Sequence, residues 1–156
     1  MKVLVVYYSR TNVTKKVAEY ICSKMSCSCE QLVDVKDRSG KVGYIVAGKD
    51  AVFGRTTEIK SLTYDPSDFD LVLIGTPVWG FYMAPAVRTY IEKFRGSFPD
   101  VAFFCTMGGS GDKRTFFDME KSIGKKPLHK LACKTEEVMK NQCGKKLDDF
   151  IERLNI

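Results

Sequence analysis

Three segments of this sequence carry residue types that could bind a ligand. The first reads Ser-Arg-Thr-Asn-Val-Thr over residues 9–14, between a short apolar run and a helical pattern. Backbone N–H groups at the start of a helix point outward and the helix dipole adds partial positive charge, so such a turn attracts anions. Four of its six residues are small and polar, whereas ordinary helix capping needs only one. The segment therefore predicts a phosphate-binding loop, with simple capping as the alternative.

The second segment, residues 76–84, collects large aromatic rings. It contains Trp79, the only tryptophan of the chain, together with Phe81 and Tyr82. Rings on a loop at a binding edge suit stacking against a flat heteroaromatic ligand, although they could instead cap the core or a partner interface. Gly80 permits positive φ and a close approach of the backbone.

The third segment, residues 106–112, reads Thr-Met-Gly-Gly-Ser-Gly-Asp. Turns also use glycine, so this segment alone carries little weight. Beside an aromatic slot, its bare backbone could direct N–H donors at the polar rim of a planar ring. A phosphate loop, an aromatic slot and a glycine-rich rim together describe a phosphorylated planar cofactor. FMN satisfies all three, whereas NAD would require a second phosphate site and a carboxylate for its ribose.

The surrounding elements determine whether these loops can meet. Apolar runs predict five strands, at residues 3–8, 30–35, 71–75, 101–106 and 128–133. Four helical patterns separate or follow these strands. The first helix has an apolar face made of Val13, Val17, Ile21 and Met25, and the second begins at Pro85. The third spans residues 115–123 and ends before Gly124, and the last has an apolar face made of Cys143, Leu147, Phe150, Ile151 and Leu154. Residues 36–70 are obscure, with a short helix predicted only over 45–53. The alternation predicts one α/β domain, residues 1–156, with a doubly wound five-stranded parallel sheet and helices on both faces. Ligands bind such sheets beyond the carboxyl ends of the strands, where all three loops lie.

Other functional signatures are missing from the sequence. No G-x-x-x-x-G-K-S/T segment is present and no G-x-G-x-x-G follows the first strand, which argues against nucleoside triphosphates and dinucleotides. No cysteine precedes Arg10, as a cysteine-based phosphatase would need, and no acidic residues end the first and third strands, as a phosphoacceptor domain would need. Six cysteines without a C-x-x-C pair predict reduced thiols in the cytoplasm rather than a metal site. No apolar run is long enough to cross a membrane.

The charge balance bears on partners. The chain has 25 Lys and Arg residues against 19 Asp and Glu residues, a net charge of +6. Its lysines are dispersed among acidic residues without an arginine-rich arm, so a solvated surface is favoured over nucleic-acid binding. An acidic redox partner is compatible with this surface. No side chain of the three loops is needed as acid, base or nucleophile, so we predict no catalytic residue.

Three stretches resemble the flavodoxin-like family, and the likeness runs from end to end: YYSRTNVTKKVAEYI, GTPVWGFYMAPAVRTYI and FCTMGGSGDKRTF. The pattern T-P-V-W-x-x-x-x-A-P-x-V-R is the most specific, and the short region after residue 128 is similar to short-chain flavodoxins. The resemblance implies noncovalent FMN and strand order 2-1-3-4-5. By position it implies that the cofactor contacts Ser9, Arg10, Thr11, Asn12, Val13 and Thr14 at its phosphate, Pro77, Val78, Trp79, Gly80, Phe81 and Tyr82 at one side of its ring, and Thr106, Met107, Gly108, Gly109 and Gly111 at the other edge.

Two features depart from the family pattern. Asn12 and Val13 stand where the phosphate loop usually has Gly and Asn, so Asn12 must adopt a left-handed conformation, which asparagine tolerates better than most residues. Val13 cannot donate a side-chain hydrogen bond. Electron-shuttling members of the family are acidic, whereas this chain is basic.

The resemblance implies an electron-transfer protein whose flavin cycles between oxidised, half-reduced and fully reduced states with redox protein partners, an acidic ferredoxin-like protein among them. One alternative is an FMN-dependent oxidoreductase that takes hydride from NAD(P)H and reduces quinones. Another is a flavin-free interaction module that has kept the fold. We further expect the backbone near Gly80 to accept a hydrogen bond from protonated N5 of the flavin.

Overall fold

A parallel sheet forms the centre of the molecule in the computed structural model, which describes residues 1–154. The strands are β1 (Val3–Tyr8), β2 (Ser28–Leu32), β3 (Leu71–Trp79), the two-residue β4 (Tyr82–Met83), β5 (Asp100–Met107) and β6 (Lys130–Lys134). β4 pairs antiparallel with the end of β3, and the other five run parallel in the order β2-β1-β3-β5-β6. Without β4 this is the order 2-1-3-4-5, so the predicted topology is confirmed.

Helices cover both faces of this sheet. They are α1 (Val13–Met25), α2 (Gly40–Val52), α3 (Pro85–Lys93), α4 (Asp112–Ile123), α5 (Thr135–Met139) and α6 (Gly144–Arg153). On one face α1 and α6 pack Val17 and Phe150 into the same core cluster as Phe104. On the other, α3 and α4 pack Ile91 and Met119 into the cluster that contains Phe103. Among the described residues, no helix has the length and hydrophobicity needed to cross a bilayer.

Strands and helices with clear hydrophobic patterns form where the sequence predicts them. All six residues of β1 are buried because the strand pairs on both sides and both of its faces carry helices. Pro85 is the first residue of α3, where its missing N–H costs nothing. α4 ends at Gly124, which has φ 71°, the left-handed conformation that commonly terminates a helix.

The second strand lies earlier than the predicted 30–35. β2 begins at Ser28 and pairs with β1 as an edge strand, so its outer positions tolerate polar side chains. Val33 and Val35 are exposed and belong to a separate antiparallel ribbon with residues 58–60. There Val35 N–H donates to the carbonyl of Glu58, and Lys60 N–H donates to that of Val33, both at 2.9 Å. The valines that suggested a longer strand therefore mark this ribbon.

The predicted aromatic loop over 76–84 is largely a hairpin. β3 continues through Trp79, and the chain returns at once as β4. Gly80 and Phe81 have φ of 55° and 72°, the pair of positive values that a type I′ turn requires. Smaller differences concern bounds: α4 begins at Asp112 rather than 115, and β6 begins at Lys130 rather than 128.

The obscure residues 36–70 form α2 and an irregular return to the sheet. α2 begins at Gly40, earlier than the predicted 45–53, and buries small residues together with Asp50. The Asp50 carboxylate accepts a hydrogen bond from Arg38 at 2.9 Å, and Arg38 also donates to Asp34 at 2.6 Å. A Cβ on Gly43 would overlap the backbone of Arg38, so only glycine allows this packing. Ion pairs and small residues hold the segment, which leaves little apolar periodicity in its sequence.

Candidate functional site

A cavity of about 600 Å³ lies where β1, β3 and β5 end. This volume is within the usual range for sites that hold small ligands and cofactors. All three of the loops singled out in the sequence contribute to its walls. The predicted site residues that line it are Arg10, Thr11, Val13, Thr14, Pro77, Val78, Trp79, Gly80, Thr106, Met107 and Gly108.

The first loop leads directly into α1. Asn12 has φ 65°, so the left-handed conformation expected of it is present, and its carbonyl accepts the N–H of Lys16 at 3.1 Å. Ser9 does not line the cavity: its Oγ accepts the N–H of Lys15 at 3.2 Å and so caps the helix. Asn12 is also outside the lining, whereas Val13, the first residue of α1, is part of it. The turn thus presents the helix start to the cavity.

Arg10 connects the first loop to the start of α2. Its Nε donates to the carbonyl of Arg38 at 2.8 Å, and its Nη2 donates to that of Gly40 at 3.0 Å. The guanidinium carbon also lies 5.5 Å from the ring centroid of Tyr44, within cation–π range. Arg10 therefore fixes the wall of the cavity as well as adding positive charge beside it.

Thr14 and Thr106 join the first and third loops. Their hydroxyl oxygens are 2.8 Å apart and share a hydrogen bond, and both side chains are buried. Thr135, a residue of α5 that the sequence did not single out, also lines the cavity. Its hydroxyl donates to the carbonyl of Met107 at 3.1 Å and so fixes the end of β5. These contacts hold the loops in place without a ligand.

Trp79 is fixed by two neighbours. Its ring meets that of Tyr8 edge to face, with centroids 5.4 Å apart. The guanidinium of Arg38 lies 5.8 Å from the centroid of the Trp79 ring. Burial, followed by the nearby Asp34 carboxylate, raises the pKa of Tyr8 above its usual value. Tyr8 is therefore neutral at physiological pH and supports the indole as an uncharged ring.

The Arg38 guanidinium is itself held by a buried ionic cluster. Burial opposes the charge on Arg38, but hydrogen bonds to Asp34 and Asp50 outweigh this and raise its pKa. Burial likewise opposes ionisation of Asp50, yet hydrogen bonds from Arg38, Lys36 and Arg55 outweigh it and hold the pKa of that carboxyl below its usual value. Arg38 and Asp50 are therefore charged at neutral pH, and their ion pair anchors α2 beside Trp79.

The hairpin turn packs against α2 and α4. A Cβ on Gly80 would lie 2.5 Å from Cγ2 of Val52, so glycine is needed there for its conformation and for space. Phe81 is 53% exposed and lies outside the cavity lining. A Cβ on Gly111 would lie 2.8 Å from Phe81 Cδ1, so glycine is needed there for this close packing, and Gly111 lies outside the cavity lining.

The remaining predicted site residues also lie outside the lining. The hydroxyl of Tyr82 accepts hydrogen bonds from Arg114, at 2.8 Å from Nη2 and 3.1 Å from Nε. Gly109 is exposed, with nothing within 4 Å of where a Cβ would be. Gly108 is the glycine of the third loop that does line the cavity.

One wall of the cavity was missed by sequence reasoning. It comes from α2, through Tyr44, Ile45, Ala47, Gly48 and Lys49. The predicted short helix over 45–53 was the only signal for this wall, and nothing in it indicated that the helix reaches the carboxyl edge of the sheet.

The lining favours binding over side-chain chemistry. Within the described residues, it includes no Asp, Glu, His or Cys side chain. It combines hydroxyls and backbone at a helix start with an indole, a phenol and aliphatic groups. Elsewhere in residues 1–154, no three His, Cys, Asp or Glu side chains are placed to hold a metal ion. The cavity is thus equipped to hold an anionic, partly flat ligand.

These features define a doubly wound α/β protein with a ligand site at the carboxyl edge of its sheet. The sequence model described as flavodoxin matches residues 2–153. The chain therefore belongs to the flavodoxin family. A comparison with curated protein sequences finds no match.

Solved structures show the same fold. The chain is similar to a flavoprotein from Lactobacillus acidophilus crystallised in complex with FMN, with 28% identity over 89% of this chain and 97% of that one and a TM-score of 0.74. It shares its fold with a short-chain flavodoxin associated with a PDU bacterial microcompartment, at 12% identity over 99% and 97% of the two chains and a TM-score of 0.59. It also shares its fold with an NADPH-quinone reductase from P. pentosaceus, at 10% identity over 97% of this chain and 96% of that one, with a TM-score of 0.57.

Proposed function

We propose that this protein binds FMN without a covalent bond and carries electrons between redox proteins. The observation that supports this most directly is the cavity of about 600 Å³ in which a helix start, an aromatic hairpin and a glycine turn face one space. The relative from L. acidophilus, which was crystallised with FMN, adds to that support.

The phosphate of FMN belongs at the start of α1. Thr11 and Thr14 bring hydroxyls to the cavity there, and Val13 brings the backbone of the first helical turn. Outward-facing N–H groups and the helix dipole can bind a phosphate even where a residue has no polar side chain. The apolar side chain of Val13 is therefore compatible with a phosphate-binding loop. Arg10 adds positive charge while its own donors hold two carbonyl groups.

The flat ring belongs between the hairpin and α2. Trp79 and Tyr44 supply aromatic rings to the lining, Pro77 and Val78 supply aliphatic surface, and Gly108 supplies bare backbone. Bound flavin supplies the one- and two-electron chemistry itself. The protein has only to bind the ring, orient it and limit the access of water.

The absence of carboxylate, imidazole and thiol side chains from the described lining favours a carrier over an enzyme. An NAD(P)H:quinone oxidoreductase must hold a second substrate against the ring, and the likeness to a quinone reductase is at the level of fold. Single-electron transfer between proteins needs no proton donor at the site. We therefore assign the carrier role and treat the reductase as the rival that experiment must separate.

Titration with FMN tests cofactor binding. Flavin fluorescence should be quenched at one equivalent, and riboflavin should bind more weakly because it lacks the phosphate. Thr11→Val should weaken FMN binding about fivefold, which corresponds to one hydrogen bond of about 1 kcal/mol. Thr56→Val, at an exposed threonine outside the cavity lining, serves as the matched control. Equal affinity for FMN and riboflavin, or no quenching, would contradict the proposal.

Turnover separates the two roles. The FMN-loaded protein should not oxidise NADPH in the presence of a quinone at more than the rate of free FMN. It should instead be reduced rapidly by a reduced ferredoxin. Brisk quinone-dependent oxidation of NADPH would identify an oxidoreductase and overturn the carrier assignment.

A further inference from the structure

The helix α2 has the reverse of the usual surface pattern. Surface helices normally bury their large apolar side chains and expose polar ones. α2 buries Gly43, Ala47 and Asp50, while Val42 is 76% exposed and Ile45 is 69% exposed. The arrangement leaves large aliphatic side chains in water and therefore indicates a surface that another molecule covers.

Six of the exposed residues of α2 and its C-terminal boundary lie on one side of the helix. We call this surface the α2 patch; it consists of Lys41, Val42, Ile45, Lys49, Val52 and Phe53. Side chains four residues apart share one side of a helix, which aligns Lys41, Ile45 and Lys49. The lysines are therefore interspersed with the apolar side chains rather than separated from them.

The charge of this surface has one sign. Between residues 40 and 55 the cationic side chains are Lys41, Lys49 and Arg55, and the only acid is Asp50. Asp50 is buried and accepts a hydrogen bond from Arg38, so it does not offset the exposed lysines. A partner that complements the α2 patch must be apolar at its centre and negatively charged around it.

The α2 patch also borders the cavity. Ile45 and Lys49 line the cavity as well as belonging to the patch, and Val52 packs against the hairpin at Gly80. A molecule covering the patch therefore reaches the edge of the site where Trp79 lies. This continuity relates the surface to the cofactor rather than to a remote role.

We propose that the α2 patch is the docking surface for an acidic electron-transfer protein. The inference rests on the proposed function, because the purpose of docking there is to bring a second redox centre close to bound FMN. The carboxylates of the partner face Lys41 and Lys49, and an apolar side chain of the partner covers Val42 and Ile45.

Two other occupants fit the surface less well. In a symmetric dimer the same patch meets itself, which brings the lysines of two copies together without carboxylates between them. In a bilayer, Lys41 and Lys49 would enter the apolar region alongside Ile45, because all three lie on one line of the helix. An acidic protein can place a carboxylate opposite each lysine.

Stopped-flow reduction of the FMN-loaded protein tests the docking, with a reduced plant-type [2Fe–2S] ferredoxin as the acidic probe. Lys41→Glu should lower the second-order rate constant at low salt by about fivefold or more, because interface charges control encounter rates. Val42→Ser should lower the same rate constant because it removes apolar surface that the partner covers. Neither residue lines the cavity, so FMN affinity should remain that of the wild type. Lys145→Glu on α6, on the other face of the sheet, is the matched control and should change the rate by less than about twofold.

Binding of oxidised ferredoxin to the cofactor-free protein, followed by amide chemical shifts, separates the two proposals. If amide shifts change at the α2 patch but the protein does not bind FMN, the proposed carrier function is contradicted and the proposed docking surface is still supported. FMN affinity without patch shifts, or equal rate loss in Lys145→Glu, would overturn the docking surface alone. The docking surface would also be contradicted if the protein associates with itself or binds phosphatidylglycerol vesicles, and if Val42→Ser abolishes that binding without affecting reduction by ferredoxin.

Discussion

The hydroxyls of Thr14 and Thr106 share a buried hydrogen bond at 2.8 Å, although 92 residues separate them in the sequence. One belongs to the first turn of α1 and the other to the end of β5. The bond therefore ties the proposed phosphate end of the cavity to the proposed ring edge. A cavity tied in this way keeps its shape before a ligand arrives, which reduces the entropy cost of binding.

Replacing either threonine should show how much their hydrogen bond contributes to the free energy of unfolding. Thr106→Val leaves the Thr14 hydroxyl without its partner and should lower the free energy of unfolding by about 1–2 kcal/mol. Thr14→Val should have a similar effect, and the double variant should cost less than the sum, because it leaves no unpaired hydroxyl. Urea denaturation of the three variants measures this. Strictly additive losses would show that the hydroxyls do not interact.

A side chain at Gly80 should disturb the hairpin. Gly80→Ala introduces a Cβ at positive φ and 2.5 Å from Val52, and it should cost about 1–2 kcal/mol in unfolding free energy. Adding Val52→Ala to Gly80→Ala should restore the share of the unfolding free energy that is lost to the steric clash. The share that is lost because alanine is strained at positive φ should remain lost. Gly109→Ala, where nothing lies within 4 Å and φ is not positive, is the control and should be close to neutral. Equal effects of Gly80→Ala and Gly109→Ala would contradict this account.

Removing the buried cation near Trp79 should be costly. Arg38→Met takes the guanidinium away from the buried carboxylates of Asp34 and Asp50, and it should destabilise the fold by about 3–5 kcal/mol although Lys36 and Arg55 still pair with Asp50. The emission of Trp79, the single tryptophan, should shift because the guanidinium no longer lies over its ring. Arg153→Met, at an exposed site on α6, should change neither the stability nor the emission. Unaltered Trp79 emission in a folded Arg38→Met protein would contradict the contact.

The pH dependence of stability should reflect Asp50. Its pKa is lowered in the folded protein, so its ion pairs stabilise the fold fully above the unfolded value of about 4, and this contribution is lost as the pH falls through the lower folded value. Asp50→Asn should therefore be less stable than the wild type at pH 7, and the difference should narrow as the pH falls toward 3. Thr56→Val, at an exposed residue that does not titrate, should differ from the wild type by the same amount of unfolding free energy at both pH values. A gap for Asp50→Asn that widens on acidification would refute the assignment.

The parts of the fold held by apolar packing could be predicted from the sequence. The buried run of β1 and the repeat of Val13, Val17 and Ile21 in α1 follow from hydrophobic burial on both faces of a parallel sheet. Because the carboxyl ends of parallel strands share one edge, the convergence of the three loops could be predicted as well. Which residues in each loop face the cavity depends on local turns, so the sequence could not show that Ser9 and Phe81 lie outside the cavity lining.

The parts held by polar contacts could not be predicted. α2 depends on the pairing of Arg38 with Asp34 and Asp50, residues whose spacing resembles an ordinary charged loop. Hydrophobic periodicity assigns large apolar residues to the core, so it predicts that Val42 and Ile45 are buried, whereas both are exposed. The five-residue α5, which supplies Thr135, is too short to give a periodic signal.

The two carbonyl contacts of Arg10 tie the start of α2 to the first loop. Its guanidinium donates to the chain at Arg38 and Gly40, where α2 begins, from a loop that forms part of the cavity wall. The helix that carries the proposed docking surface therefore keeps its position relative to the cavity whether or not a ligand is bound. An electron donor that docks there meets the same geometry at every encounter, so its recognition does not depend on prior loading of the cofactor.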